Sequence, residues 1–179
     1  MSHVVIISTS LREGSNSEAL AEECWRGARD AGNEAVFLSL KGKRLEYCIG
    51  CLSCQQTGMC VLADDAAGFA EKVKNADVLV FATPIYYYEM SGQMKTLLDR
   101  LNPLYASDYK FRRVYMIATA AEGGSHVFEK AYSGLQGWVD CFEKAALCGL
   151  VAGGEINEPN DAGNHRETMH RAYELGQTL

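Results

Sequence analysis

Val4-Val5-Ile6-Ile7-Ser8-Thr9-Ser10-Leu11-Arg12-Glu13-Gly14-Ser15-Asn16-Ser17 is the stretch on which the reading of this chain turns. Its first four residues are apolar and β-branched, the composition of a strand buried on both faces. The run turns polar at Ser8, and a helical pattern begins near Ser17. Between the two lie hydroxyl donors, Gly14, Asn16 and the guanidinium of Arg12. A helix that starts there presents unpaired N–H groups and the positive end of its dipole. Such a loop suits a phosphate dianion. The plainer alternative is a strand-to-helix connection with Ser15 or Ser17 as N-cap.

Further along, Ala19, Leu20, Cys24, Ala28 and Ala31 recur at helical spacing, and Gly32-Asn33 closes that helix. Glu34–Leu40 reads as a second strand. A basic segment, Lys41-Gly42-Lys43-Arg44, leads into a cysteine-rich loop spanning 41–64. Asp64-Asp65 opens a short helix with Ala66, Phe69, Ala70 and Val73 on its inner face. Asp77–Thr83 is a third strand that Pro84 is expected to stop, leaving Ile85–Met90 as a loop. Ser91 caps a helix carrying Met94, Leu97, Leu98 and Leu101. Arg113–Thr119 and Leu147–Ala152 read as the fourth and fifth strands, with a long helix between them. From Asp161 onward only a weaker helical pattern remains, at Met169, Ala172 and Tyr173.

Strands alternating with helices imply an α/β domain, a parallel sheet with helices on both faces. Right-handed crossovers leave few topologies, and five strands fit the flavodoxin-like order 2-1-3-4-5 over a single domain, residues 1–179. In that order a ligand sits beyond the carboxyl ends of the strands, where the order reverses. Three loops end there. The first suits phosphate. The second brings Pro84, Ile85, Tyr86, Tyr87 and Tyr88, suited to a flat ring. The third, Ala120-Ala121-Glu122-Gly123-Gly124, allows close backbone approach. Phosphate at one end and a planar ring at the other describe a mononucleotide, with FMN the natural candidate. No G-x-G-x-x-G, P-loop or G-x-S-x-G motif is present.

The chain has 179 residues, 47% hydrophobic and 22% charged, which describes one globular domain. Its net charge of −6 argues against non-specific binding to nucleic acid or to an anionic membrane. No apolar run approaches the roughly 20 residues of a membrane span. Met-Ser-His before a strand is not a signal peptide, so cytoplasm is the expectation. His3, His126, His165 and His170 lack metal-ligand spacing and read as surface or cap residues. Seven cysteines are present, and four of them fall at Cys48, Cys51, Cys54 and Cys60. Cys24, Cys141 and Cys148 read as buried small hydrophobes. The compact four-cysteine spacing admits a [4Fe-4S] cluster, a zinc ion or a metal-free thiol loop.

Thr83-Pro84-Ile85-Tyr86-Tyr87, then Ser91-Gly92-Gln93-Met94-Lys95 and Asp99-Arg100, resembles the NADPH-dependent FMN reductase family of flavodoxin-like proteins. The cysteine segment, with Gly58-Met59-Cys60 and Asp64-Asp65, is similar to the iron-sulfur flavoprotein branch of that family. The resemblance runs from about residue 3 to 152. It implies that Ser10, Arg12, Ser15, Asn16 and Ser17 hold the FMN phosphate. Pro84, Ile85, Tyr86 and Tyr87 would border the isoalloxazine, and Ala120, Ala121, Gly123 and Gly124 would close its other edge. Leu11 departs from the family's common proline, and Glu13 places a carboxylate beside the phosphate loop, so it is expected to face solvent. Cys48, Cys51, Cys54 and Cys60 would be the cluster's ligands. The activity implied is FMN-dependent NAD(P)H oxidoreduction toward a quinone, flavin, azo or nitro acceptor. The cluster, if formed, would relay single electrons to an external acceptor. The alternative is an electron carrier reduced by ferredoxin with no NAD(P)H site. A homodimer or homotetramer is implied by resemblance and by exposed aromatic surface.

Overall fold

The structure, a computed structural model, describes residues 1–179. Strand β1 (His3–Ser8) is buried from Val4 onward. Val5 and Ile7 enter the larger of two apolar cores, while Val4 and Ile6 enter the smaller. A strand covered on both faces needs apolar side chains at every position, which explains the unbroken run. Helix α1 (Asn16–Asp30) starts at the Ser15 cap, whose hydroxyl accepts from the Glu18 N–H at 3.3 Å. Then come β2 (Glu34–Ser39), a single helical turn α2 (Ser53–Thr57) inside the cysteine segment, and α3 (Ala66–Asn75). After them run β3 (Val78–Tyr86), β4 (Glu89–Met90), α4 (Gly92–Arg100), β5 (Arg113–Thr119), α5 (His126–Val139), β6 (Ala146–Gly153) and α6 (Arg166–Gln177).

The five long strands are parallel in the order β2-β1-β3-β5-β6, which is the expected 2-1-3-4-5 with β4 standing off the path. Helices α3, α4 and α5 fill the larger core on one face. Helices α1 and α6 cover the other face.

Two expectations need correction. Proline does not stop β3. The last β3 residue paired with β1 is Ala82, opposite Ser8, and beyond it the strand has a free edge where a missing N–H costs nothing. Pro84 therefore continues the pairing with Thr119 of β5, and Ile85 and Tyr86 turn back onto Met90 and Glu89 as a hairpin. Second, of the three isolated cysteines only Cys24 is buried; burial pushes its thiol up to about 12. Cys141 lies in the turn just past α5 and Cys148 lies on the edge strand β6, which is only partly covered, and both are exposed. The helix expected from the weaker pattern after Asp161 is present as α6, which packs tightly on α1.

That packing depends on two glycines. A Cβ on Gly27 would stand 2.1 Å from the Tyr173 carbonyl oxygen, and one on Gly176 would stand 2.0 Å from that of Cys24. Both neighbours are backbone, so no rotamer can relieve the clash and the helices must part. Gly27→Ala is expected to lower unfolding stability by about 3 kcal/mol, read from urea midpoints, as overpacking does. Gly137→Ala in α5, where nothing lies within 4 Å, is the control and should be neutral or mildly stabilising.

Candidate functional site

Because β1, β3 and β5 are neighbours, the three loops that follow them adjoin at one end of the sheet. Hydrogen bonds stitch them together. The Thr9 N–H and hydroxyl both donate to the Ala82 carbonyl, at 2.9 and 2.8 Å. Thr9 Oγ1 also lies 3.4 Å from Ser91 Oγ, and the Ser91 N–H donates to Thr83 Oγ1 at 3.0 Å. Ser91 caps α4 by accepting from Met94 N–H. On the far side, the Tyr88 hydroxyl donates to Glu122 Oε2 at 2.8 Å and so joins the hairpin to the third loop.

The first loop collects polar groups out of solvent. Thr9, Ser10, Ser15, Asn16 and Ser17 are all buried. The Ser17 hydroxyl has only the Ser15 hydroxyl near it, at 3.3 Å. The backbone N–H groups of Asn16 and Ser17, the first two of α1, find no acceptor within the chain. Buried donors of this kind call for an acceptor, and the N-terminus of α1 favours an anionic one. Glu13 is exposed, as expected. Asn16 has a different part. Its amide donates to the Glu158 carbonyl at 2.8 Å and accepts from the Ala162 N–H at 2.9 Å, so the side chain is spent on a neighbouring segment. Arg12 is exposed and donates to the Asn157 carbonyl at 2.7 Å. The Asn160 N–H donates to the Gly14 carbonyl at 2.8 Å. Residues 157–162 thus form a strap that holds the loop in shape. Sequence reading missed it, because no periodic pattern marks an irregular segment.

The second loop is the β3–β4 hairpin. Tyr87 and Tyr88 turn it with positive φ values of 52° and 65°, strained for tyrosine. Tyr87 is fully exposed and Tyr86 is half exposed, while Pro84 and Ile85 are partly covered. In the third loop Ala120 is buried and Ala121 is exposed. Gly123 lies against the Glu155 side chain, and Gly124 takes φ +99°, a conformation that favours glycine. The Tyr88 hydroxyl, together with His126, holds the Glu122 carboxyl below its usual range. Reciprocally, Glu122 raises the Tyr88 phenol.

The four clustered cysteines line one cavity, together with Ile49, Leu52, Leu62, Arg100 and Asn102. No three His, Cys, Asp or Glu side chains of the chain converge as ligands for a single metal ion. Cys48 and Cys51 are exposed, Cys54 is buried and Cys60 is intermediate. The Ser53 hydroxyl and amide hold the Cys51 thiol below its ordinary value. Arg100, whose side chain is wholly buried, reaches the cavity from the end of α4. Its Nη1 donates to Asp64 Oδ2 at 2.5 Å and its Nη2 to Asp64 Oδ1 at 2.8 Å, a two-pronged pair. Burial pushes the Asp64 carboxyl up, but Arg100 and the Glu46 and Ala66 amides outweigh it and leave Asp64 below the usual carboxylate range. The cysteine cavity and the three-loop site lie at opposite ends of α4, whose nine residues span about 13 Å.

A family model described as NADPH-dependent FMN reductase matches residues 2–142. Over 101 residues the chain is 38% identical to an iron-sulfur flavoprotein of Methanocaldococcus jannaschii, a match covering 56% of this chain and 52% of that one. The chain spans about half the length of the iron-sulfur flavoproteins it matches first. A Bacillus subtilis protein named as an NAD(P)H-dependent FMN-containing oxidoreductase is 28% identical over 182 residues, covering 96% of this chain and 95% of that one. Among solved structures, an NAD(P)H:quinone oxidoreductase from Methanothermobacter marburgensis superposes with a TM-score of 0.78 at 20% identity, covering 99% of this chain and 96% of that one. At that identity the likeness speaks to the fold.

Proposed function

This chain belongs to the NADPH-dependent FMN reductase family, and from that premise we propose that it is an FMN-dependent NAD(P)H oxidoreductase acting on a small quinone, flavin, azo or nitro acceptor. The observation that carries the proposal is the first loop. There the buried Ser10, Ser15 and Ser17 hydroxyls and the free Asn16 and Ser17 N–H groups gather at the start of α1, where an anion would be favoured. Those residues fit the FMN phosphate. Arg12, exposed and tied only to a carbonyl, is free to add a charge-assisted contact. Asn16 contributes its backbone N–H, its side chain being engaged elsewhere. FMN, when bound, supplies hydride acceptance and electron release singly or in pairs. The chain's own part is to bind and orient. Pro84, Ile85 and Tyr86 with Tyr87 offer apolar and aromatic surface on one side, and Ala120, Ala121, Gly123 and Gly124 offer backbone on the other.

The four cysteines fit a [4Fe-4S] cluster better than zinc. They border one cavity and fall in one compact run of short spacings, whereas structural zinc more often takes two separated pairs. Cys48, Cys51, Cys54 and Cys60 would hold the cluster, which when bound supplies one-electron transfer. This feature favours the second reading, a carrier reduced by ferredoxin without a pyridine-nucleotide site. Tyr47, Ile49, Met59, Tyr87 and Tyr105 stand more than half exposed around both sites, and a homodimer or homotetramer would cover them. No helix is long and apolar enough to cross a membrane, in keeping with a cytoplasmic enzyme.

Stopped-flow mixing of the FMN-loaded protein with NADH or NADPH tests the reductase reading. Bleaching of the flavin band by either nucleotide is the expected result. Bleaching by reduced ferredoxin alone, with neither nucleotide effective, would establish the carrier instead.

A further inference from the structure

Arg100 does more than neutralise Asp64. Besides that carboxylate, its Nη1 donates to the Glu46 carbonyl at 2.7 Å. Its Nη2 lies 3.4 Å from the Leu62 carbonyl and 3.5 Å from Cys60 Sγ. The carboxylate of Asp64 in turn accepts from the Glu46 N–H at 2.7 Å. One side chain therefore fastens both ends of the segment 46–64, which contains all four cysteines. Two residues further on, Asn102 Nδ2 donates to Cys54 Sγ at 3.1 Å. The side-chain donors that reach the cysteine sulfurs thus come from one place, the last residue of α4 and a residue two positions beyond it.

The remaining donor of Arg100 is the telling one. Its Nε is buried and has no partner in the chain. An unsatisfied buried donor is costly, and a charged one more so. Arg100 lines the cavity that the four cysteines share, so the cost of burying its guanidinium is borne in the wall of that site. The other pair behaves differently. Cys48 and Cys51 are exposed, and neither Arg100 nor Asn102 reaches them.

We propose that Arg100 and Asn102 are the positioning residues of the four-cysteine site. They hold Cys60 and Cys54 as its fixed inner half, while Cys48 and Cys51 form a free outer half. The part concerning iron rests on the cluster reading above; the part concerning the thiols does not.

The test uses the full chain with Arg100→Lys and Asn102→Ala. Lysine keeps a charge for Asp64 but cannot bridge Leu62 and Cys60 at once. After anaerobic reconstitution with iron and sulfide, both variants should lose iron to a chelator at least tenfold faster than the parent. The midpoint potential of the iron centre should move negative, because N–H groups aimed at sulfur favour the reduced, more anionic state. Flavin content should not change. Parental chelation rates and potential in both variants would overturn the proposal. If the parent chain takes up no iron, the cluster reading fails, and alkylation of the metal-free protein decides the positioning claim. Among the four clustered cysteines, mass spectrometry should then find Cys48 and Cys51 modified before Cys54 and Cys60, with Cys54 accelerated by Asn102→Ala and Cys60 by Arg100→Lys. Unchanged rates at Cys54 and Cys60 would refute it.

Discussion

Ser15→Asp is expected to leave the protein folded and to strip it of flavin. Aspartate caps a helix as well as serine does, and a carboxylate at the first turn is favoured by the helix dipole. The apo-protein should therefore melt at or above the parental temperature. The same carboxylate would lie among the Ser10 and Ser17 hydroxyls and the free N–H groups of Asn16 and Ser17. It would take the donors proposed for phosphate and repel a dianion at close range. A loss of at least a hundredfold in FMN affinity, about 2.7 kcal/mol, should appear in a fluorescence titration. Riboflavin, which lacks the phosphate, should bind the parent and the variant alike. An FMN affinity within threefold of the parent would place the phosphate elsewhere.

Arg100→Met should cost the fold about 3–5 kcal/mol, because it leaves the buried Asp64 carboxylate without its cation. Domains of this size are stable by only about 5–15 kcal/mol, so the loss will show plainly in urea unfolding. The double variant Arg100→Met/Asp64→Leu should recover much of it, since removing both charges also removes the desolvation each one suffers. The pH dependence follows from the depressed Asp64 carboxyl. A lowered folded-state pKa contributes stability that is complete above the unfolded value of about 3.9 and is lost as the pH falls from there toward the folded value. The parent should lose that contribution in acid, and the gap between parent and Arg100→Met should narrow over the same interval. A gap that stays constant from neutral pH down to pH 2 would mean the pair is not the source of the difference.

Much of the candidate site could be read before any coordinates. Val4–Ile7 had to be a strand covered on both sides, and the hydroxyl-rich loop after it had to open a helix. The strand order then brought that loop beside Pro84–Tyr88 and Ala120–Gly124. Those are local and topological properties, carried by periodicity, β-branching and cap residues. What could not be read depends on partners distant in the chain. The side chain of Asn16 looked free for phosphate, but its amide is bound to Glu158 and Ala162, 142 and 146 residues away. The exposure of Cys148 depends on where the sheet ends.

The sequence by itself determined the alternation of strand and helix, the order of the sheet and the polar chemistry of the loop after β1. Tertiary structure alone decided that β3 runs through Pro84, that Gly27 and Gly176 let α6 lie on α1, and that Arg100 closes the cysteine segment. The reason is one of range. Backbone propensity and side-chain period act over a few residues and leave their mark on neighbouring letters. A free strand edge, a glycine contact between helices and a buried charge that finds its partner 36 residues away exist only after the chain has closed on itself.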